Sequence, residues 1–144
     1  MVCRNFAGAV DCISFSNPDT PVVLFLGGFP QGTARKFRRA LMHKKPYIPL
    51  LRSPTVPLVA VLWPKAKAQE FLEWSEHNKT TRADDGNAGR WHRDTNQYIL
   101  VAVPSLVEHP DMVPSVKGGQ KARWGKDPQR RALVVSEDGL GHNW

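Results

Sequence analysis

Two adjacent carboxylates, Asp84 and Asp85, are the side chains in this sequence best placed to do chemistry. They stand where the pattern predicts that a helix begins, shortly before Trp91. One of them could point into a cleft and take a proton from an acceptor hydroxyl, as a general base does. The alternative is that both cap the helix, because a helix N-terminus stabilises negative charge. The sequence alone favours capping.

A second candidate is His109, at the end of the run Pro104-Ser-Leu-Val-Glu-His109. This run follows a predicted strand, and loops after the carboxyl ends of strands are where α/β sheets bind ligands. With Glu108 or Asp111 supplying oxygen, His109 could hold a metal ion. A single histidine in such a loop is more often a hydrogen-bonded structural residue. Spacing alone assembles no complete metal site from the five histidines.

Positive charge forms a third candidate feature, because it is concentrated in two stretches. The chain has 20 Lys and Arg residues against 13 Asp and Glu, which gives a net charge of +7. More than half of the basic residues lie in 35–45 and 117–131, and the first stretch has no acid. Such patches attract the phosphates of a nucleic acid, a nucleotide-sugar or an anionic lipid surface. The alternative is a solvated helix face and a basic tail.

Length and hydropathy place these candidates on one domain. The chain has 144 residues, and its mean hydropathy of −0.40 excludes an integral membrane protein. Its longest apolar runs are far shorter than the roughly 18 residues of a membrane helix, and no secretory leader is evident. Cys3 and Cys12 lack zinc spacing, so they are expected to be buried, reduced thiols. These features predict a cytosolic protein.

Three continuous apolar runs, at 22–26, 58–63 and 98–103, predict buried strands. Between them, helices are expected over 33–42 and 64–77, with a weaker one after Thr80 that contains Gly86 and Gly89. Strands alternating with helices predict an α/β fold of three layers, with a mostly parallel or mixed sheet flanked by helices. Five side chains are expected to be mostly buried: Trp63, Phe71, Leu72, Ile99 and Val101.

The order of the segments is more specific than any single residue. It comprises Pro21-Val-Val-Leu-Phe-Leu-Gly27, Val59-Ala-Val-Leu-Trp-Pro64, Phe71-Leu-Glu-Trp74, Ala83-Asp-Asp85 with Trp91, and Val103-Pro-Ser-Leu-Val-Glu-His109 with Ser115 and Arg130-Arg131. This order resembles the C-terminal half of the GT-A type glycosyltransferases encoded by actinobacterial phages. The resemblance covers about residues 2–132, and the run that ends at His109 is its most specific part.

The resemblance implies a transferase that moves a sugar from a nucleotide-sugar to a virion or host acceptor, with Mn²⁺ or Mg²⁺ on the diphosphate. Asp85 would be the catalytic base, supported by Asp84, and His109 would contact the metal or the diphosphate. Trp63 and Trp91 would bind substrate. The second basic stretch, 117–131, would form a lid over the donor phosphates. Its four phosphate-binding residues would be Lys117, Lys121, Arg123 and Lys126.

The chain also departs from that family, because the donor-binding half with its Asp-Asp or Asp-x-Asp metal site has no counterpart here. Residues 1–116 would be an acceptor-side, partial GT-A-like domain, and 117–144 a basic flexible loop and tail. A partner chain or a second copy would then dock on an exposed apolar sheet edge near 22–26, and the isolated chain would be inactive. The protein would act in the host cytoplasm or on the virion.

A different class of function also fits the sequence. The chain could be a catalytically silent phage structural or interaction protein whose basic patches contact nucleic acid or another virion protein. A dedicated nucleic-acid binder is disfavoured, because the sequence lacks the regularly spaced aromatic residues of single-strand platforms.

Overall fold

Helices and strands alternate along the chain, as the apolar runs predict. The computed structural model describes residues 5–25, 31–50, 60–78 and 84–107. In chain order the elements are α1 (Phe6–Ser16), β1 (Val22–Val23), α2 (Gln31–Met42), β2 (Tyr47–Leu50), β3 (Val61–Leu62), α3 (Lys65–His77), α4 (Asp84–Asp94) and β4 (Ile99–Ala102). The α/β class is therefore confirmed.

The four strands form one mixed sheet in the order β2-β4-β1-β3. β1 runs parallel to β4, with Val22 opposite Leu100, and the two outer strands run antiparallel to their neighbours. All three predicted apolar runs contribute a strand. The exposed edge expected near 22–26 is wrong for the described residues, because β1 is an interior strand and residues 22–25 are buried. A central strand is covered on both faces and paired along both edges.

Helices cover both faces of this sheet, which explains why the apolar runs are continuous. Alternate residues of a strand point to opposite faces. Val23 and Val101 pack with Phe37 of α2 and Trp91 of α4, and α3 lies against the same cluster. On the opposite face, Val22, Leu24 and Leu100 pack with Ala9 and Ile13 of α1.

β2 was not expected from the sequence, because Pro46 and Pro49 suggest a turn. Its register explains how a proline is accommodated. The Val103 N–H donates to the Pro46 carbonyl at 2.8 Å, so residues 46, 48 and 50 turn their backbone groups toward β4. The backbone groups of Tyr47 and Pro49 therefore point away from β4, toward the open edge of the sheet. Proline lacks an N–H, so an outward position on an edge strand costs no ladder hydrogen bond.

α3 presents a different face to the core from the one that its sequence suggested. Leu72 is 61% exposed, so its expected burial is wrong. Phe71 and Trp74 pack on the core as partly buried residues instead, because positions three apart share a helix face. Trp63 is also only partly buried, whereas Ile99 and Val101 are fully buried as expected.

α2 and α4 end in the same hydrogen-bonded turn, known as the Schellman motif. After α2, the Lys45 N–H donates to the Ala40 carbonyl and the Lys44 N–H to the Leu41 carbonyl, with Lys44 at φ 51°. After α4, Asn96 occupies the equivalent left-handed position at φ 52°. Glycine is usual there and asparagine is the common substitute, so the lysine at the end of α2 is unusual.

Candidate functional site

The parallel strands β1 and β4 end side by side, and the chain after β4 is fixed to that end of the sheet. The N–H groups of Leu106 and Val107 donate to the Leu24 carbonyl at 2.8 and 3.3 Å. The segment 103–106 is fully buried, and the Val103–Pro104 peptide bond is cis. The run that the sequence associates with ligand binding is therefore anchored up to Val107.

Asp84 and Asp85 are the first two residues of α4. This position fits both hypotheses, because carboxylates at a helix N-terminus can cap the helix, and one of them could also point into a cleft as a general base. Their side chains, together with Glu108 and His109, lie outside the described residues. The close approach of the aspartates to His109 that a shared cleft requires thus stays a prediction.

The two tryptophans proposed to bind substrate lie in an aromatic cluster with Phe71. Trp63 stacks on Phe71 with ring centroids 5.2 Å apart, and Trp91 packs edge-on to Phe71 at 5.8 Å. The rings of Trp63 and Trp91 are 5.5 Å apart. Trp91 is only 1% exposed, so its ring faces are covered by protein and it packs as a core residue. Trp63 is partly buried and retains some surface.

α2 carries the first basic stretch, and its two faces separate as expected. Phe37 is fully buried, and Leu41, one turn later, packs against the same core. The basic side chains of the helix and of the turn after it are exposed: Arg35, Lys36, Arg38, Arg39, Lys44 and Lys45.

A groove of about 460 Å³ runs between this helix and β2; we call it the α2–β2 groove. Its polar lining is basic in character, and its apolar lining is small or aliphatic. The lining consists of Lys36, Arg39, His43 and Lys45 together with Ala40, Ile48 and Pro49. The groove offers positive charge around an apolar floor, so it suits a ligand that is anionic. The positive charge was predictable from the sequence, but the groove was not, since β2 was not predicted.

His92 is a buried titratable residue that the sequence did not single out. It is 5% exposed, and neither ring nitrogen has a hydrogen-bond partner among the described residues. Burial lowers the pKa of His92 below 6.5, and the nearby backbone of Gln97 and Leu50 offsets only part of this effect. Burial therefore favours the neutral form of the ring.

The remaining site predictions concern residues outside the described part of the chain. These are the phosphate-binding residues Lys117, Lys121, Arg123 and Lys126 and the metal ligand His109. Within the described residues, no three His, Cys, Asp or Glu side chains are grouped so that they could hold a metal ion. Cys12 is a free thiol and is partly buried.

Across the ranges that the structure describes, no helix combines the length and the hydropathy needed to cross a bilayer. Comparisons with family models, curated proteins and solved structures found no match to this chain.

Proposed function

We propose that this chain is the acceptor-side part of a sugar transferase that works with a donor-binding partner. The proposal starts from the resemblance of its segments to phage GT-A type glycosyltransferases. The observation that carries it is topological. The start of α4 and the segment after β4, which the resemblance assigns to the acceptor cleft, lead toward the same end of the sheet.

The orientation of α4 supports this juxtaposition. His92, near the end of α4, lies close enough to Leu50 for that backbone to influence the pKa of His92, and Leu50 pairs with Ile99 at the start of β4. Ala88, one turn earlier, is buried in the same core cluster as Val101 and Val103. Asp84 begins α4 one further turn on, about 6 Å beyond Ala88. Because only residues 95–98 separate α4 from β4, we expect the helix to run back from the amino end of β4 toward its carboxyl end.

In the proposed reaction the Asp85 carboxylate takes the proton of an acceptor hydroxyl. The hydroxyl oxygen forms a bond to the anomeric carbon of the donor sugar, and the bond from that carbon to the diphosphate oxygen breaks. The nucleoside diphosphate leaves with the electron pair. A divalent metal would neutralise the charge on this leaving group. The resemblance places the principal metal ligands in the donor-binding half, so the partner is expected to provide most of them.

The test compares the purified chain with the same chain co-expressed with the polypeptide encoded directly upstream. Each preparation is incubated with Mn²⁺ and a panel of nucleotide-sugars, and release of nucleoside diphosphate is followed. The isolated chain should give no turnover and no micromolar donor binding, whereas the co-expressed pair should release nucleoside diphosphate. Turnover by the isolated chain would overturn the need for a partner, and inactivity of both preparations would overturn the transferase function.

Two variants of α4 test the base. Asp85→Asn should lower turnover by the active pair at least about a hundredfold, the size of effect expected on losing a general base. Asp94→Asn is the matched control, because Asp94 lies at the other end of the same helix and pairs with Arg90 on the surface. Equal loss in both variants, or none in Asp85→Asn, would remove Asp85 from the mechanism.

A further inference from the structure

The α2–β2 groove carries a charge that neither sugar transfer nor core packing uses. Lys36, Arg39 and Lys45 line it, and no acidic residue occurs in the sequence between 35 and 45. Within the described ranges, the ion pairs lie on α3 and α4 and none involves these three cations. The described part of the fold therefore leaves their charge for a ligand.

We infer that the α2–β2 groove binds the phosphate backbone of a nucleic acid, independently of any transferase activity. Lys36 of α2 and His43, in the turn directly after it, are seven residues apart, which at the rise of a helix corresponds to about 10 Å. Successive phosphates of one strand rise about 3.4 Å along the axis of a duplex. A row of this length beside the duplex axis therefore spans the rise of about three phosphates.

The apolar lining of the groove indicates which part of a nucleic acid it contacts. Ala40, Ile48 and Pro49 offer no aromatic ring. Stacking of unpaired bases on a protein surface generally requires such rings. Contact is therefore with phosphates and sugars rather than with bases, and binding does not depend on sequence.

Lys44 is a second feature that places positive charge beside the groove, at a backbone position that costs conformational energy. It occupies the left-handed position of the Schellman motif at φ 51°, where a glycine would avoid the steric cost of a side chain. The lysine is exposed and directly precedes Lys45, which lines the groove. A strained backbone position that keeps a cation next to a basic groove points to binding.

The surface around the groove favours a nucleic acid over an acidic protein. Arg35 and Arg38 are exposed on α2, so positive charge continues beyond the groove. Protein interfaces depend on a few large anchor residues in desolvated pockets. The groove lining has no aromatic anchor. A uniformly charged polymer fits such a surface better than a folded partner.

The experiment measures binding of the full chain to a fluorescein-labelled 20-base-pair duplex by fluorescence anisotropy at several salt concentrations. Lys36→Gln/Arg39→Gln should weaken binding about tenfold at low salt, and should reduce the slope of log K against log salt by about two. The matched control, Lys65→Gln/Arg93→Gln, removes two exposed cations from α3 and α4. It should bind within about twofold of the wild type. Circular dichroism checks that all variants are folded.

Lys44→Gly separates binding from stability. It should raise the urea midpoint of unfolding because it relieves the left-handed strain, yet it should weaken DNA binding several-fold. If Lys44 served only the helix terminus, DNA affinity would not change.

Three outcomes would overturn the inference. One is unchanged affinity of Lys36→Gln/Arg39→Gln, which would assign any binding to other basic residues such as those of 117–131. Another is equal weakening in the control variant, which would indicate net charge alone. The third is displacement of the DNA by polyglutamate at equal charge concentration, which would mark the groove as a surface for acidic protein.

Discussion

His92 is a proton-sensitive side chain held in the core by α4. Burial lowers its pKa below 6.5, and the nearby Arg93 charge acts in the same direction. The unfolded chain, with a histidine pKa near 6.5, therefore binds a proton more readily than the folded one as the pH falls. The contribution of His92 to stability is accordingly fully present above about pH 7. It is lost as the pH falls through 6.5 toward the lower pKa of the folded state.

Urea unfolding at about pH 8 and about pH 5.5 should therefore give a smaller free energy of unfolding at the lower pH. His92→Leu should remove most of this difference, because an apolar side chain of similar size has no proton to bind. It should not lower stability at the higher pH by more than about 1 kcal/mol, since the ring has no hydrogen-bond partner to lose among the described residues. His43→Gln, at an exposed position, is the control and should keep the pH dependence. An unchanged pH dependence in His92→Leu would exclude His92 as its origin.

At the residue scale, the sequence identified candidate functional residues but did not predict which of them are buried. Trp91 stood out as an aromatic residue near two aspartates, which suits substrate stacking as well as a core. The structure buries it against Trp63 and Phe71, and these contacts come from segments distant in the chain. His92 escaped notice for the same reason, because nothing in its local sequence tells which side of α4 is covered. Burial depends on neighbours that periodicity alone does not supply.

Elements with a strong apolar pattern were predictable, and the weaker helix expected after Thr80 is confirmed as α4, but α1 and β2 were missed. α2 and α3 follow from helical spacing between prolines and glycines, and their ends lie close to the expected residues. α1 was missed because glycine and serine dilute its pattern, although Ala9 and Ile13 form a buried pair four residues apart. β2 was missed because its prolines suggest a turn. The basic groove needs both α2 and β2, so it was beyond the reach of sequence analysis.

The first turn of α2 offers a test of this element. A Cβ built on Gly32 would meet no atom within 4 Å. Gly32→Ala should therefore stabilise the protein by about 0.5 kcal/mol, because alanine loses less conformational entropy in a helix. The measurement is the midpoint of urea unfolding.

The control for this variant is Gly8→Ala in α1. There a Cβ would approach the Asn5 Oδ1 atom to 2.7 Å, so the Asn5 side chain must move and the gain should be smaller. A lower urea midpoint for Gly32→Ala than for the wild type would contradict the placement of residue 32 in a helix.

At the scale of the whole molecule, the open sheet raises the question of how copies of the chain avoid joining edge to edge. Of the described strands, β2 and β3 form the two edges. In β2, the backbone of Pro49 faces the open edge of the sheet and has no N–H to offer a neighbour. The adjoining α2–β2 groove adds positive charge beside this edge. Prolines and lysines on edges are the devices by which natural sheets prevent unwanted pairing.

Pro49→Val should weaken this protection, because it adds an outward N–H and a side chain that favours strands. Sedimentation velocity in about 0.5 M salt, which screens repulsion between copies, should show a several-fold larger dimer fraction than the wild type. Tyr47→Val changes the other outward residue but leaves Pro49 in place, and should sediment like the wild type. Equal sedimentation of Pro49→Val and the wild type would mean that the proline does not limit pairing.

The single proline at position 49 also has a consequence for assembly. A sheet can propagate into a filament only when each copy offers two edges that accept a neighbour, because each added subunit must leave a fresh edge behind it. With β2 blocked, a copy has only β3 to offer among the described strands. Two copies joined through β3 would satisfy each other around a two-fold axis and leave nothing to extend. Any assembly through the described strands would therefore stop at a pair.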